Sequence, residues 1–235
     1  MLRNGIDPCA LAGEFLGAEP FDHIVIDGFL DDAQAHRLAD LIEVADTEDW
    51  ITDPLPQQVN KWSEPDPHFM PLPVAHALWE LNQPPVLEFF EILTGIRPLI
   101  ADETFTGGGV HVSSTGGHLD LHADFNIHPD TGLHRRLNAL LFLNRGWDPS
   151  WNGQLELWDP EMTGCKKMID PIFNRLVVLK ITDSGFHGVP RPIECPPFRR
   201  RLSLATFYYS EDRPEEEKAP FHWSIWQQPE VDQQR

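Results

Sequence analysis

Short apolar or alternating segments follow one another through the second half of the chain, and clusters of Gly, Pro, Asn and Asp separate them. Short strands bounded by turn residues are typical of all-β sandwiches and barrels, whereas βαβ folds alternate strands with longer helices. The pattern therefore predicts a mainly β core. Its predicted strands are Leu99–Ala101, Val110–Val112, His118–Phe125, Leu137–Leu143, Gln154–Trp158, Leu176–Ile181 and Leu202–Tyr209.

The residues before this core predict a strand, helices and a loop. Phe21–Asp27 has the pattern of a strand, and Asp31 or Asp32 then caps a helix that continues to about Ala45. Apolar residues recur at helical spacing along this second segment. Both elements are therefore expected to support the β core.

Two further segments precede the core. Thr52–Pro73 contains six prolines and predicts a long irregular loop, either a lid in which Lys61-Trp62 meets a substrate or a surface connection without a role. Residues 74–93 are helical in pattern but are interrupted at Pro84-Pro85, which predicts two helices. Gly95 ends the second one.

Composition restricts the partners of the chain. The 18 basic and 37 acidic residues give a formal charge of −19, which repels phosphate backbones and argues against a nucleic-acid partner. Three cysteines without a C-x-x-C pair indicate a reducing compartment. No apolar run approaches the roughly 20 residues of a membrane helix, and the N-terminal residues lack the apolar region of a secretion signal. The expectation is a cytoplasmic protein with no membrane partner, and the sequence carries no signal for an oligomeric state.

Gly116–Asn126 contains the most concentrated chemistry in the chain. In this stretch His118, Asp120, His122 and Asp124 alternate with apolar residues, so a strand would direct all four polar side chains to one face. A buried row of imidazoles and carboxylates is costly unless something coordinates it. The stretch therefore indicates a metal site, with satisfied structural histidines as the alternative.

The chain has three His-x-Asp pairs, and their positions favour one of them. His128-Pro-Asp130 lies in a predicted loop. The first pair lies four residues before His122-x-Asp124, deeper in the strand, where it forms either a network that orients ligands or an ordinary hydrogen-bonded pair. A catalytic metal needs open positions, which favours His122 and Asp124 near the strand exit. His187, which follows a predicted strand and turn, is the candidate third ligand, and two His with one carboxylate form the arrangement of non-haem Fe(II) oxygenases.

A second cluster lies on the last predicted strand. Period two places Arg201, Ser203, Ala205 and Phe207 on one face of that strand. A guanidinium and a hydroxyl inside a small barrel match the two oxygens of a carboxylate. The alternative is a basic surface cluster, which suits Arg199 and Arg200 better.

The ordered set of motifs resembles the prolyl 4-hydroxylase-like branch of the Fe(II)/2-oxoglutarate dioxygenases. The resemblance covers about residues 99–210, and the N-terminal F-D-H-I-V-I-D-G-F-L also suits that family. It rests on H-A-D at His122–Asp124, L-L-F-L-N at Leu140–Asn144, N-G-Q-L-E-L at Asn152–Leu157, N-R-L-V-V-L at Asn174–Leu179, His187, and R-L-S at Arg201–Ser203.

The resemblance implies a double-stranded β-helix, also called a jelly roll and cupin-like, with N-terminal helices packed on one sheet. Residues 1–98 would form the supporting strand, helices and Pro-rich loop, residues 99–210 the dioxygenase core, and residues 211–235 a tail that packs back on it, all within one domain. It also implies Fe(II), 2-oxoglutarate and O2, with ascorbate as a stimulant.

By the same resemblance, His122, Asp124 and His187 bind Fe(II), while Arg201 and Ser203 bind the far carboxylate of 2-oxoglutarate. The implied reaction hydroxylates a C–H bond and releases succinate and CO2. Related halogenases lack the carboxylate ligand, so Asp124 favours hydroxylation. The acceptor could be a prolyl residue in a peptide, a free amino acid or another small metabolite.

Three departures from the family pattern leave alternatives open. Phe142 stands where the family often has a tyrosine that donates to 2-oxoglutarate, so Ser203, His111 or a water could substitute. The usual Gly-Gly is Asn152-Gly153. The R-P-I-E-C-P-P insertion lengthens the interval before Arg201, so either neighbouring arginine, 199 or 200, could be the anchor instead.

Other residues and functions remain as alternatives. His111, which follows three glycines, lines the pocket or is structural. Trp147, Trp151 and Trp158 pack in the core or rim, or else stack on a substrate. The whole chain could also be a non-catalytic jelly-roll module with a structural metal, or a cupin-like metalloenzyme that does not use 2-oxoglutarate. Neither needs an inward carboxylate anchor such as Arg201.

Overall fold

A curled antiparallel sheet with helices on one face forms the body of the protein. The computed structural model describes residues 3–52 and 55–228, and none of the helices in these ranges is long and apolar enough to cross a membrane. The helices are α1 (Pro8–Leu16), α2 (Asp32–Glu43), α3 (Leu72–Leu81) and α4 (Pro84–Thr94). The strands are β1 (His23–Asp27), β2 (Gln58–Glu64), β3 (Ile100–Ala101), β4 (Gly109–Ala123), β5 (His134–Phe142), β6 (Leu155–Trp158), β7 (Cys165–Ile169), β8 (Arg175–Lys180), β9 (His187–Val189), β10 (Arg201–Ser210) and β11 (Ile225–Gln227).

The strand order explains how distant segments meet. It runs β1-β8-β5-β10-β4-β9-β6-β7, while β2 and β11 also pair with β4, and β3 pairs with β10. In the described residues these strands pair antiparallel throughout, and consecutive strands are often not neighbours, as in a jelly roll. The predicted mainly β jelly roll with supporting helices is confirmed.

The helices pack against one face of the sheet, where residues of all four join an apolar cluster with Leu202, Leu204 and Tyr208 of β10. In α2, the Asp31 side chain accepts hydrogen bonds from the backbone N–H groups of residues 33 and 34 and caps the helix, and its apolar face is buried. α4 ends at Gly95, whose φ of +73° is the left-handed conformation of a glycine cap. Phe90 of α4 packs against Tyr208 of β10, with ring centroids 4.9 Å apart. This packing fixes which face of β10 turns inward.

The prediction of a long irregular loop over Thr52–Pro73 is wrong for the middle of that segment. Gln58–Glu64 forms β2 and pairs with β4, and Pro67–Phe69 forms a single 3-10 turn. The prolines flank this strand rather than interrupt it. At Gly109, with φ +88°, an added Cβ would lie 2.1 Å from the carbonyl oxygen of Glu64, so only glycine permits this close pairing.

Two other predictions need correction, and some elements were missed. Val110–Val112 and His118–Phe125 are not separate strands, because β4 continues through Gly116 and Gly117 as one strand of 15 residues. Helix α1 and strand β7 were not predicted. The tail pairs with β4 through β11, and its residues 229–235 lie outside the described part.

Candidate active site

Three predicted ligands meet at one end of β4. His122 lies on β4, Asp124 follows its last residue, and His187 begins β9 directly opposite His122. One donor atom from each of the three lies within 4.8 Å of the others, and all three residues are buried. The shortest Nε2-to-carboxylate distances are 3.5 Å from His122 and 3.7 Å from His187. A single ion can therefore be reached by all three side chains.

The backbone orients both imidazoles. Nδ1 of His122 lies 2.9 Å from the carbonyl oxygen of Asp120, and Nδ1 of His187 lies 3.0 Å from that of Gly185. A ring that donates Nδ1–H to a carbonyl has its lone pair on Nε2, the nitrogen that faces Asp124 here. Burial lowers the pKa of His187 to about 4, so this ring is neutral at pH 7, as a metal ligand must be.

Two residues that sequence reasoning missed hold the carboxylate. Nδ2 of Asn138 donates to Oδ2 of Asp124 at 3.1 Å, and Nη2 of Arg135 lies 3.5 Å from the same oxygen. Burial raises the pKa of Asp124, but the Arg135 charge and the neighbouring histidines outweigh it and hold the pKa well below its usual range. The carboxylate is therefore ionised. Polar residues within the apolar run of β5 were the available signal.

Arg201 enters the same pocket from β10. Its Nε donates to the Gly153 carbonyl at 2.8 Å, and its guanidinium lies 4.8 Å from the centre of the Phe142 ring. Burial alone lowers the pKa of Arg201 to about 10, and no carboxylate of the described residues forms an ion pair with it. A buried cation without a protein counter-charge is a binding site for an anion.

The two neighbouring arginines point elsewhere. Nη2 of Arg200 donates to backbone carbonyls just past α2, including that of Ala45 at 3.1 Å. Nη2 of Arg199 donates to the carbonyl of Arg145, and its guanidinium lies 5.6 Å from the Trp151 ring. Neither lines the pocket. Of the three arginines, only 201 faces the predicted site.

Two polar residues follow Phe142, which stands in place of the family's tyrosine, on the next two strands of the sheet. Ser203 pairs with His111 on one side and with Phe142 on the other. All three line the pocket, and Nε2 of His111 is buried without a hydrogen-bond partner. The pKa of His111 lies well below its usual range, mainly because the ring is buried and also because the charges of Lys61 and Arg201 are nearby. A neutral imidazole and a hydroxyl thus stand beside the phenyl ring.

The other His-x-Asp pairs lie outside the ligand cluster. Nε2 of His118 lies 3.8 Å from Oδ1 of Asp120, and only the histidine lines the pocket. Asp120 nevertheless contacts a predicted ligand through its backbone, because its carbonyl oxygen lies beside Nδ1 of His122. His128 is buried beside Asp102 instead, at 3.9 Å, and Asp130 is exposed.

The tryptophans divide into two groups. Trp147 and Trp158 are buried and donate to Asn152 and Glu156, and Trp151 packs against Trp147, so these three serve packing. The tail brings others to the site, because Trp223 and Trp226 both line the pocket. The cluster of aromatic residues in the tail was the signal for them.

The pocket connects these groups to the surface. Its volume is about 420 Å³, within the range of small-molecule sites. The ligand cluster and Arg201 form its floor, while Leu55, Lys61 and Trp223 stand among the more exposed residues that line it. A small ligand can therefore contact both the cluster and the arginine.

Comparisons with known proteins agree with this geometry. A profile of the family described as "2OG-Fe(II) oxygenase superfamily" matches residues 108–209, which include all six predicted site residues. Comparison with curated protein sequences finds no match.

Solved structures share the fold. A prolyl hydroxylase from Trichoplax adhaerens, in complex with a hypoxia inducible factor oxygen degradation domain peptide, is 19% identical with a TM-score of 0.61, covering 86% of this chain and 89% of its own. A prolyl-4-hydroxylase from Pseudomonas putida is 20% identical (TM-score 0.57), with coverages of 86% and 98%. HygX from Streptomyces hygroscopicus, with nickel, 2-oxoglutarate and hygromycin B bound, is 14% identical (TM-score 0.55), with coverages of 86% and 92%. Residues 108–209 therefore match the 2OG-Fe(II) oxygenase superfamily, and the chain is a dioxygenase whose cofactors are Fe(II) and 2-oxoglutarate.

Proposed function

We propose that this dioxygenase hydroxylates a C–H bond of a small molecule or of a peptide residue. His122, Asp124 and His187 hold Fe(II), and Arg201 with Ser203 binds the far carboxylate of 2-oxoglutarate. The observation that carries the proposal is the buried, uncompensated guanidinium in the same pocket as a His/Asp/His cluster. Bound together, iron, 2-oxoglutarate and O2 supply the oxidation that inserts one oxygen atom and releases succinate and CO2.

The donor set fits iron. Two neutral imidazoles and one ionised carboxylate are the facial ligands of non-haem Fe(II) sites. Both Nε2 atoms face the carboxylate, and Asn138 holds the oxygen that also lies nearest His187. Because these side chains are fixed before a metal arrives, the protein pays little ordering entropy on binding. The carboxylate at Asp124 also occupies the position that halogenases leave open.

The other end of the pocket fits a dicarboxylate. With Nε committed to Gly153, the terminal nitrogens of Arg201 can bind two carboxylate oxygens. Phe142 lies under the guanidinium and leaves no hydroxyl beside it, whereas Ser203 is its neighbour on β10 and His111 follows Ser203 on β4. We assign the replacement of the missing tyrosine to these two side chains. They would orient the cosubstrate without adding charge.

The acceptor class remains a prolyl residue, a free amino acid or another small metabolite. Proteins with this fold include prolyl hydroxylases, one of them in complex with a peptide, and HygX with hygromycin B bound. A pocket of about 420 Å³ favours an acceptor that inserts one ring or one side chain beside 2-oxoglutarate. Trp223, which is 62% exposed, offers an apolar surface to such a group.

Anaerobic titration tests the proposal. Fe(II) followed by 2-oxoglutarate should produce the visible charge-transfer band of the chelate in the wild-type protein. Arg201→Ala should weaken that response to 2-oxoglutarate, and Arg200→Ala is the matched control that should leave it unchanged. A folded wild-type protein that binds Fe(II) but gives no band would favour a structural metal module or a cupin-like enzyme. A screen for acceptor-stimulated succinate release, comparing peptides, free amino acids and sugars, would then identify the acceptor.

A further inference from the structure

A C-terminal strap, residues 220–227, closes one side of the pocket. It lies beyond the segment that matches the family profile, residues 108–209. At its first end Asn126 makes two hydrogen bonds, because Nδ2 donates to the Pro220 carbonyl at 2.9 Å and Oδ1 accepts from the His222 N–H at 3.1 Å. At its other end β11 pairs with β4. The strap is therefore fixed on both sides of Trp223.

The register of β11 places Trp226 directly opposite His122. Their ring centroids are 4.9 Å apart with planes at 38°, while the His187 ring lies 4.7 Å from His122. His122 pairs with Trp226 across one edge of β4 and with His187 across the other. The imidazole consequently has an aromatic neighbour on each side.

Two neighbouring residues of the strap have different contacts: one packs against the core, and the other faces the site. Ile225 packs against a buried apolar cluster that includes Leu121 and Phe186. Trp226 belongs to no such cluster among the described residues and lines the pocket instead. Ile225 thus attaches the strap to the sheet, whereas the indole of Trp226 lies against His122, a predicted metal ligand.

We infer that Trp226 is a positioning residue for His122. The inference rests on the proposed function, in which His122 binds Fe(II). The indole limits rotation of the imidazole about its own axis and excludes water from that side, while the Asp120 carbonyl fixes Nδ1. Residues that support a metal ligand in this way typically change metal affinity by about 10-fold to 100-fold when replaced.

Co(II) alone is the probe, because its visible spectrum reports ligand geometry. Wild type, Trp226→Ala, Trp226→Phe and the control Trp79→Ala are titrated without 2-oxoglutarate. Trp79 is a suitable control because it is an exposed tryptophan on α3 that does not line the pocket. We expect Trp226→Ala to bind Co(II) about tenfold more weakly with an altered spectrum. Trp226→Phe should restore most of the affinity, and Trp79→Ala should match wild type.

Tryptophan fluorescence gives a second readout that does not depend on a truncated side chain. Co(II) should quench the indole of Trp226 strongly, so Trp226→Phe should show less metal-induced quenching than wild type, whereas Trp79→Phe should show as much. Wild-type affinity and spectrum in Trp226→Ala, or undiminished quenching in Trp226→Phe, would overturn the inference. Failure of the wild type itself to bind Co(II) would instead refute the proposed function, and the inference with it.

Discussion

Replacing Arg201 with methionine separates the cost of the buried charge from its proposed use. Methionine keeps an unbranched apolar stem and removes the guanidinium. Burial lowers the pKa of Arg201 from the ordinary value of an arginine to about 10, and each pKa unit corresponds to about 1.4 kcal/mol. At pH 7, below both values, the arginine is charged in the folded and unfolded chain, so the charge costs the folded state about 3 kcal/mol.

The substitution also has a cost. Nε of Arg201 donates to the Gly153 carbonyl, and leaving that buried carbonyl unpaired costs about 1–2 kcal/mol. The ligand-free Arg201→Met protein should therefore be more stable than wild type by about 1–2 kcal/mol. For a chain of this size, its Tm should rise by about 2–8 °C.

Binding of 2-oxoglutarate should change in the opposite direction. Removing one partner of a buried charge pair costs about 2–5 kcal/mol, which corresponds to about 30-fold to about 4,000-fold weaker binding. Thermal unfolding without ligand gives the first quantity, and calorimetric titration of 2-oxoglutarate into Mn(II)-loaded protein gives the second.

Arg200→Met is the matched control. Its guanidinium holds backbone carbonyls just past α2, so this variant should lose stability and keep its affinity for 2-oxoglutarate. An Arg201→Met protein that is less stable than wild type and still binds 2-oxoglutarate normally would refute the reasoning.

Two further sets of substitutions test the ligand choice and the pocket opening. Asp124→Ala should abolish succinate formation, whereas Asp120→Ala and Asp130→Ala should leave a measurable rate in a succinate-release assay, because neither of those carboxylates joins the ligand cluster. A dead Asp120→Ala enzyme with an active Asp124→Ala enzyme would reverse the assignment. Trp223→Ala should raise the KM of the acceptor found in the succinate screen severalfold and leave the Fe(II)/2-oxoglutarate band unchanged. The control Trp79→Ala should change neither quantity. An unchanged KM in Trp223→Ala would show that Trp223 does not bind the acceptor.

The residues that share one face of β10 could be predicted, because side chains on a strand alternate between its two faces. Alternation alone placed Arg201, Ser203 and Phe207 together, and these residues line the pocket. The resemblance selected Arg201 as the anchor, but the insertion before it left the neighbouring arginines open. The packing of β10 against the helices decides which arginine faces the pocket, because Leu202 and Leu204 join the core beneath the helices and residue 201 lies on the opposite face.

Residues that depend on strand order were not predictable. Arg135 and Asn138 belong to β5, yet they support Asp124 near the end of β4, and β10 lies between those two strands. β2 was missed because it is largely polar and has prolines on both sides. β11 has three residues, too few for a periodicity to appear.

The charges at the two ends of the pocket are complementary to a single bound assembly. At one end an ionised carboxylate and two imidazoles converge, and a cation would complete them. At the other end Arg201 is buried without a counter-charge, and an anion would complete it. A metal-bound dicarboxylate presents a cation to the first end and a free carboxylate to the second, so one bound assembly satisfies both. Folding alone satisfies neither, so under the proposed function the stability that Arg201 costs the ligand-free protein would be regained when 2-oxoglutarate binds.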